Sequence, residues 1–383
     1  MSSAELLSAV HQALTGVIDP EIKRPITDLG MVDSVEVDDD GVVTLTVLLT
    51  IAGCPLKGTI EHDVTAAVTG VDGVSGINLT LGTMSDEQRT AMRNSLRGGV
   101  GQREIPFAKP DSLTQVILVA SGKGGVGKSS VTVNLAMALA ARGKSVGVLD
   151  ADIYGHSVPG LLGLADARPT QVEDMIMPVP AFGLKVISMG MLKQSRDQVI
   201  AWRGPILDRA LHQLLSDVYW GDLDFLLLDL PPGTGDVALS LGQKLPNAEV
   251  LVVTTPQQAA AEVAERAGTM ASMLEQKVLG VVENMSYLDA ACPHCGQSHR
   301  IDLFGSGGGA AVSNALTQRL GYEIPLLAEV PLDPELRVSG DEGVPLVATD
   351  LASPAAAALD GLADRLATRR RSLAGKKLGL LVT

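Results

Sequence analysis

The amino-acid sequence predicts an α/β protein: a doubly wound, mostly parallel sheet covered by helices on both faces, preceded by a small α+β unit. Three observations carry this reading. Apolar residues make up 46% of the 383 positions and aromatic residues only 3%, so the core has to be built from Val, Leu, Ile, Ala and Met. Such a composition, rich also in glycine, suits strands buried on both faces. From Gln115 onward, short apolar runs alternate with helical stretches, the pattern of right-handed βαβ units. One strand-to-helix turn, at 122–127, is dense in glycine.

The first domain is expected over 1–95. Residues 5–14 have helical spacing, and 31–37 and 42–49 alternate as strands across Asp38-Asp39-Asp40-Gly41, a hairpin signal. A helix is expected from near Pro55 to about Val68, then a strand over 77–81 and a helix from Ser85. The stretch 96–113, punctuated by Gly98, Gly99, Gly101, Pro106 and Pro110, reads as a linker. The second domain is expected over 114–368, with strands at 116–120, 145–149, 184–189, 225–230, 250–254, 278–282 and 324–329. Helical stretches at 130–142, 206–215 and 259–274 stand out between them, and no internal repeat is visible. A basic and apolar tail, 369–383, follows.

A net charge of −14 argues against nucleic acid as a partner, since that affinity rests on neutralising phosphates. The local exception is Arg369, Arg370, Arg371, Lys376 and Lys377 ahead of Leu378, Leu380 and Leu381. This tail reads as a solvated helix end, with a membrane-surface anchor as the other reading. The first residues lack the basic start and apolar run of a secretory signal, and no uncharged apolar stretch is long enough to cross a bilayer. Three cysteines make no disulfide framework and fit free thiols or metal ligands in a reducing compartment. The expectation is a cytoplasmic protein without stable membrane insertion.

Gly122-Lys123-Gly124-Gly125-Val126-Gly127-Lys128-Ser129 satisfies G-x-x-x-x-G-K-[ST], directly after an apolar strand and before a helix. Glycines let backbone N–H groups converge on phosphates, and the helix N-terminus adds its positive end. Lys128 then serves the β- and γ-phosphates, Ser129 can ligate Mg²⁺, and Ser130 adjoins them. ATP and Mg²⁺ are the expected ligands. Two further apolar strands end in aspartate: Asp150, followed by Ala151 and Asp152, and Asp229, followed by Leu230-Pro231-Pro232-Gly233-Thr234-Gly235-Asp236. Taken singly, each Asp also fits a helix N-cap. Together with the glycine-rich turn they make a hydrolysis site, with loops able to change shape when a phosphate leaves.

Lys123, right after the first glycine, resembles the "deviant Walker A" P-loop NTPases: nitrogenase iron protein, partition ATPases and septum-site ATPases. That resemblance implies a homodimer in which Lys123 reaches the partner's nucleotide. It also implies that Asp152 orients the attacking water, Asp150 serves the Mg²⁺ side, Asn284 recognises adenine and Pro331 lines the base. Within that class the sequence resembles the Mrp/ApbC iron–sulfur cluster carrier family over most of 115–365. The likeness is carried by Asp150-Ala151-Asp152-Ile153-Tyr154-Gly155, the run 229–236, Glu283-Asn284-Met285-Ser286 and Cys292-Pro293-His294-Cys295-Gly296. The first domain resembles the iron–sulfur assembly module found ahead of such proteins, marked by Thr50-Ile51-Ala52-Gly53-Cys54-Pro55.

Cys292 and Cys295 have metal-ligand spacing, but two thiolates do not close a tetrahedral site. A dimer could share one [4Fe–4S] cluster on four cysteines. A zinc knuckle could recruit His294 or His299 within one chain, and a reversible dithiol is the third reading. The family resemblance implies the shared cluster. Cys54 reads as a ligand, a reactive thiol or a buried small residue; His156 as a partner contact or a solvated loop residue; Met175, Met177, Met189 and Met191 as packing. The expected function is thus an ATP-hydrolysing carrier of slow intrinsic turnover. It would take a labile cluster from an upstream assembly scaffold and deliver it to apo iron–sulfur proteins. The rivals are a spatial organiser acting on membrane or DNA, an electron-transfer ATPase and a zinc-stabilised regulatory ATPase.

Overall fold

The computed structural model describes residues 3–20, 22, 24–50, 56–85, 87–89, 91–92, 104–153, 155–172, 175–192, 204–292 and 294–369. Cys54 and the tail beyond Arg369 lie outside these residues. The chain divides into two compact units, the first comprising 1–103, 170–178 and 217–221, the second the remainder.

In the first unit the order is α1 (Ser3–Thr15), β1 (Val32–Val37), β2 (Val42–Leu49), α2 (Lys57–Thr69) and β3 (Gly76–Thr83). The sheet runs β1-β2-β3, with β1 antiparallel and β3 parallel to β2. The hairpin closes because the Asp38 carboxylate accepts the Asp40 and Val42 N–H groups at 3.0 and 2.8 Å. The parallel pair needs a crossover, and α2 supplies it. Its Ile60, Val64 and Val68 recur every fourth residue, so one face meets Val43, Leu45 and Val47 in the core. A short hairpin, β6 (Thr170–Val172) and β7 (Met175–Met177), adds Val172, Met175 and Met177 to that same core.

The second unit holds the parallel sheet. Its strands are β4 (Gln115–Ser121), β5 (Val146–Asp150), β8 (Val179–Ala181), β9 (Leu184–Ser188), β10 (Phe225–Asp229), β11 (Glu249–Thr254), β12 (Lys277–Asn284) and β15 (Leu326–Val330). Their order is β15-β12-β11-β4-β10-β5-β9-β8, and only β8 pairs antiparallel. Strand order reverses at β4, the position where an open sheet opens a crevice beyond its carboxyl ends. A separate two-stranded hairpin, β13 (Leu288–Ala291) and β14 (Ser298–Ile301), follows β12.

Helices α3 (Lys128–Ala141), α4 (Gly204–Ser216), α5 (Asp236–Lys244), α6 (Gln258–Met273), α7 (Gly308–Leu320), α8 (Pro334–Glu342) and α9 (Pro354–Ala367) cover the sheet. Among the described residues, no helix is long and apolar enough to cross a membrane. Met189 and Met191 are buried, as packing requires.

Helix α3 carries buried residues from Val131 through Leu139 without a break. A helix apolar all round has to be enclosed, and α9 joins α3 in one core through Leu359, Leu362, Ala363 and Leu366. Arg142 just past the end of α3 grips Asp360 on α9 with two N–H···O bonds of 2.5 and 2.9 Å. Inside, the buried Asn134 donates to the Ser130 carbonyl at 2.9 Å and accepts the Val347 N–H at 3.1 Å. Truncating it strands a buried donor. Asn134→Ala is therefore expected to cost about 1–3 kcal/mol, read as a lowered urea midpoint for the sheet unit; an unchanged midpoint contradicts the assignment.

Candidate nucleotide and metal sites

Strands β4, β5, β10, β11, β12 and β15 run parallel, so their carboxyl ends share one edge of the sheet. The glycine-rich turn leaves β4 there. Gly124 and Gly125 are exposed, Gly122 and Val126 buried, and Lys123, Ser129 and Ser130 half-buried. Gly127, just ahead of α3, has φ +75°, and a Cβ on it would stand 2.2 Å from Asn284 Nδ2. Conformation and space both demand glycine. Two positions of backbone without side chains thus face outward beside the amino end of a helix, the geometry that receives a phosphate.

The buried Asp229 closes β10 and gathers one turn of α3. Its carboxylate meets Lys128 Nζ at 2.5 Å, and accepts from Ser129 Oγ at 2.5 Å and Thr132 Oγ1 at 2.9 Å. Parallel register sets Asp150 directly beside Asp229. Asp150 accepts from Asp152 N–H at 3.1 Å and from Ser188 Oγ at 3.2 Å. Burial, and then the charge of Asp229, push its carboxyl up to about 8. A hydroxyl and two carboxylates on adjoining elements form an oxygen donor set that fits a hard divalent cation such as Mg²⁺.

The other predicted residues ring this centre. Lys123 Nζ donates to Gln257 Oε1 at 2.7 Å, within the same chain. Asp152 accepts from the Gly155 N–H at 2.8 Å, turned onto its own loop. His156 packs over Gly190, where a Cβ would fall 1.6 Å from the imidazole. At the end of β12, Asn284 donates to the Val126 carbonyl at 2.9 Å, while its buried Oδ1 has no partner. Asn284 pairs in register with Val330, so the buried Pro331 stands one residue beyond it. Met285 then turns with φ +57°, rare for a residue with a side chain. Neighbouring Glu283 is buried and accepts the Gly309 N–H at 2.5 Å, holding the start of α7. Burial pushes this carboxyl upward, with the Gly309 bond partly opposing.

The cysteines lie beyond Met285, on the β13–β14 hairpin. The Cys292 N–H donates to Gln297 O at 2.8 Å, and Gly296 N–H returns to Cys292 O at 2.9 Å. Cys292 is half-buried and Cys295 exposed. Backbone hydrogen bonds from Cys295, then from His294, lower the Cys292 thiol below its ordinary value. Ile301, at the end of β14, and Leu303 and Phe304 after it are 42%, 54% and 37% exposed.

Sequence reasoning passed over Thr132, Ser188 and Gln257. Two signals were available: Thr132 lies one helical turn after Lys128, and Gln257 and Ser188 sit at carboxyl ends of parallel strands, where this class of sheet presents its side chains.

Asp150 yields a pH prediction. Its folded value stands near 8 against 3.8 when exposed. Between those values the folded state holds a proton that the unfolded chain has lost, so stability falls as pH rises through that window. Asn mimics the neutral acid. In metal- and nucleotide-free buffer the stability advantage of Asp150→Asn over the parent should widen from about pH 4 to about pH 8, exceeding about 1 kcal/mol, and then level off. A pH-independent gap in melting temperature contradicts this.

Residues 112–367 match the family model of the NUBPL iron-transfer P-loop NTPases, and residues 7–79 that of an iron–sulfur cluster assembly protein. The iron–sulfur cluster carrier protein of Mycobacterium tuberculosis is 56% identical over 376 residues, 98% of this chain and 97% of that protein. Its counterpart in Deinococcus radiodurans is 44% identical over 360 residues, 94% of each. Among solved structures, an ADP complex of a nucleotide-binding protein from Archaeoglobus fulgidus is 39% identical with a TM-score of 0.50, covering 60% of this chain and 86% of that one. The chain therefore belongs to the family of NUBPL iron-transfer P-loop NTPases and iron–sulfur cluster carrier proteins, with a cluster-assembly module at residues 7–79.

Proposed function

We propose that this protein binds and hydrolyses ATP and carries an iron–sulfur cluster, held between two copies of the chain, to apo-proteins. The observation that carries the reading is the sharing of β12. Asn284 at its end is bonded to the P-loop, and the half-buried Cys292 and exposed Cys295 stand on the hairpin that follows. Nucleotide occupancy and cargo therefore act on one short stretch of backbone. The carrier relatives, aligned over nearly the whole chain, support the same reading.

On the nucleotide side, Gly122 through Ser130 surround the phosphates, and Lys128 exchanges Asp229 for the β- and γ-oxygens. Ser129 and Asp229, with Asp150 behind them, would hold Mg²⁺, which neutralises charge on the phosphates when bound. Asn284 turns its unpartnered Oδ1 to the adenine amino group beside Pro331. Asp152 orients the attacking water once it releases Gly155, and Lys123 leaves Gln257 to reach the partner's nucleotide. Three side chains, Lys128, Asp152 and Lys123, must therefore give up internal partners before hydrolysis. Slow turnover without a second copy or a client follows from that requirement.

On the cargo side, two chains supply four thiolates to one [4Fe–4S] cluster. The exposed Ile301, Leu303 and Phe304, at the end of β14 and just after it, are the apolar surface that the second copy covers. A cluster at such a seam is accessible and easily surrendered, which suits delivery. An upstream scaffold supplies it, and the compartment is the reducing cytoplasm.

Anaerobic iron and sulfide quantification tests this directly. Cys292→Ala is expected to lose the cluster and keep nucleotide binding, while Lys128→Ala keeps the cluster and loses hydrolysis. The isolated parent protein should turn over ATP more slowly than about 1 s⁻¹, the low end of ordinary enzymes. Retention of the cluster by Cys292→Ala overturns the cargo assignment.

A further inference from the structure

We infer that His299 is a third metal donor beside Cys292 and Cys295, so that one chain alone binds one divalent, thiophilic, tetrahedrally coordinated cation such as Zn²⁺, Fe²⁺ or Co²⁺. One donor atom from each of these three residues lies within 4.8 Å of the others. The hairpin explains why. His299 pairs with Ala290 across the β13–β14 ladder. Side chains alternate between faces along a strand, so Cys292, two residues after Ala290, lies on the His299 face as its diagonal neighbour. The tight turn, with Gly296 at φ +71°, then folds Cys295 back to the same place. His294, between the two cysteines, is not part of the group.

The opposite face is occupied otherwise. Arg300 stacks on the Tyr287 ring at 3.9 Å and meets Asp302 at 3.3 Å. Anchoring on that side leaves the donor face free. Tetrahedral Zn–S and Zn–N bonds of about 2.3 and 2.0 Å set donor atoms roughly 3.5–3.8 Å apart. Closing from 4.8 Å takes only side-chain rotation, and Cys295 and His299 are exposed enough to rotate. Three donors leave one position open, as in sites that exchange a ligand. An S₂N set suits zinc-like ions and disfavours Mg²⁺ or Ca²⁺. The inference shares its thiols with the carrier reading but needs neither a dimer nor nucleotide.

The test is an anaerobic Co²⁺ titration of the reduced, cluster-free full chain, followed by visible absorption. The expected result is one Co²⁺ per chain, with tetrahedral d–d bands and thiolate-to-cobalt charge transfer. His299→Ala should weaken binding at least about tenfold, the lower end of what losing even an outer partner costs, and His294→Ala should leave it unchanged. Parental affinity in His299→Ala overturns the inference, as does one Co²⁺ per two chains. Iron and sulfide assays on the same variants separate the two readings. A cluster lost in Cys292→Ala with cobalt binding indifferent to His299 removes this site and keeps the carrier. Cobalt binding that needs His299, with a cluster surviving Cys292→Ala, does the reverse.

Discussion

A carboxylate shut away from water has to find its partners inside the protein, and Asp229 finds three of them on one turn of α3. Lys128, Ser129 and Thr132 are brought to it by helical spacing alone, and the helix is brought to the strand by the glycine-rich turn. Lys128 is itself buried, so its pairing with Asp229 involves two desolvated charges. Neither can lose the other without a replacement of the same sign. A triphosphate with its cation offers such a replacement to both: negative charge for the lysine, positive charge for the aspartate. On the proposed reading, nucleotide binding is an exchange of partners within one buried cluster, beside which Asp150 is held in register.

The edge of the sheet also connects this cluster to the thiols. Asn284 fills the space that a Cβ on Gly127 would take, so the P-loop and the end of β12 fit against each other without slack. Immediately after, Met285 sits in the left-handed region, a conformation that costs a residue with a side chain about 1–2 kcal/mol. Glu283 on the other side of Asn284 fixes the first turn of α7. The hairpin bearing the cysteines therefore leaves and re-enters the fold at two points beside one asparagine, itself bonded to a phosphate-binding turn. A small shift at that asparagine has two routes toward the hairpin, one along the backbone through Met285 and one through the Glu283–Gly309 hydrogen bond.

Much of this was legible in the sequence where one local rule governed. The P-loop was readable because strand, glycines, lysine and hydroxyl follow one another along the chain, and the central strands because they are nearly pure apolar runs. Strand ends fell within a residue or two, and α3 starts at Lys128, inside the motif itself, earlier than its apolar spacing suggests. The hairpin at 170–177 was missed: its strands are three residues long, too short for alternation to register, and they join the core of the other unit. Helices α7 and α9 are rich in alanine and glycine, and α8 is short and largely polar, which blurs their periodicity. Partners such as Gln257 for Lys123 and Ser188 for Asp150 are distant in the chain, and only the sheet order brings them together.

The two centres of this protein are built on opposite electrostatic terms, and the difference bears on what each can do. Asp150 and Asp229 are fully buried, so any charge brought beside them is felt strongly and a ligand there is discriminated by charge and size. The cysteine turn is tied by the backbone hydrogen bonds between Cys292 and Gln297 and between Gly296 and Cys292, with the Cys295 thiol exposed. A metal group bound there is reached by solvent and by competing thiols, and thiol exchange depends on such access. A deep site recognises and a shallow one releases. On the proposed reading, joining them through β12 lets the stringent event time the permissive one.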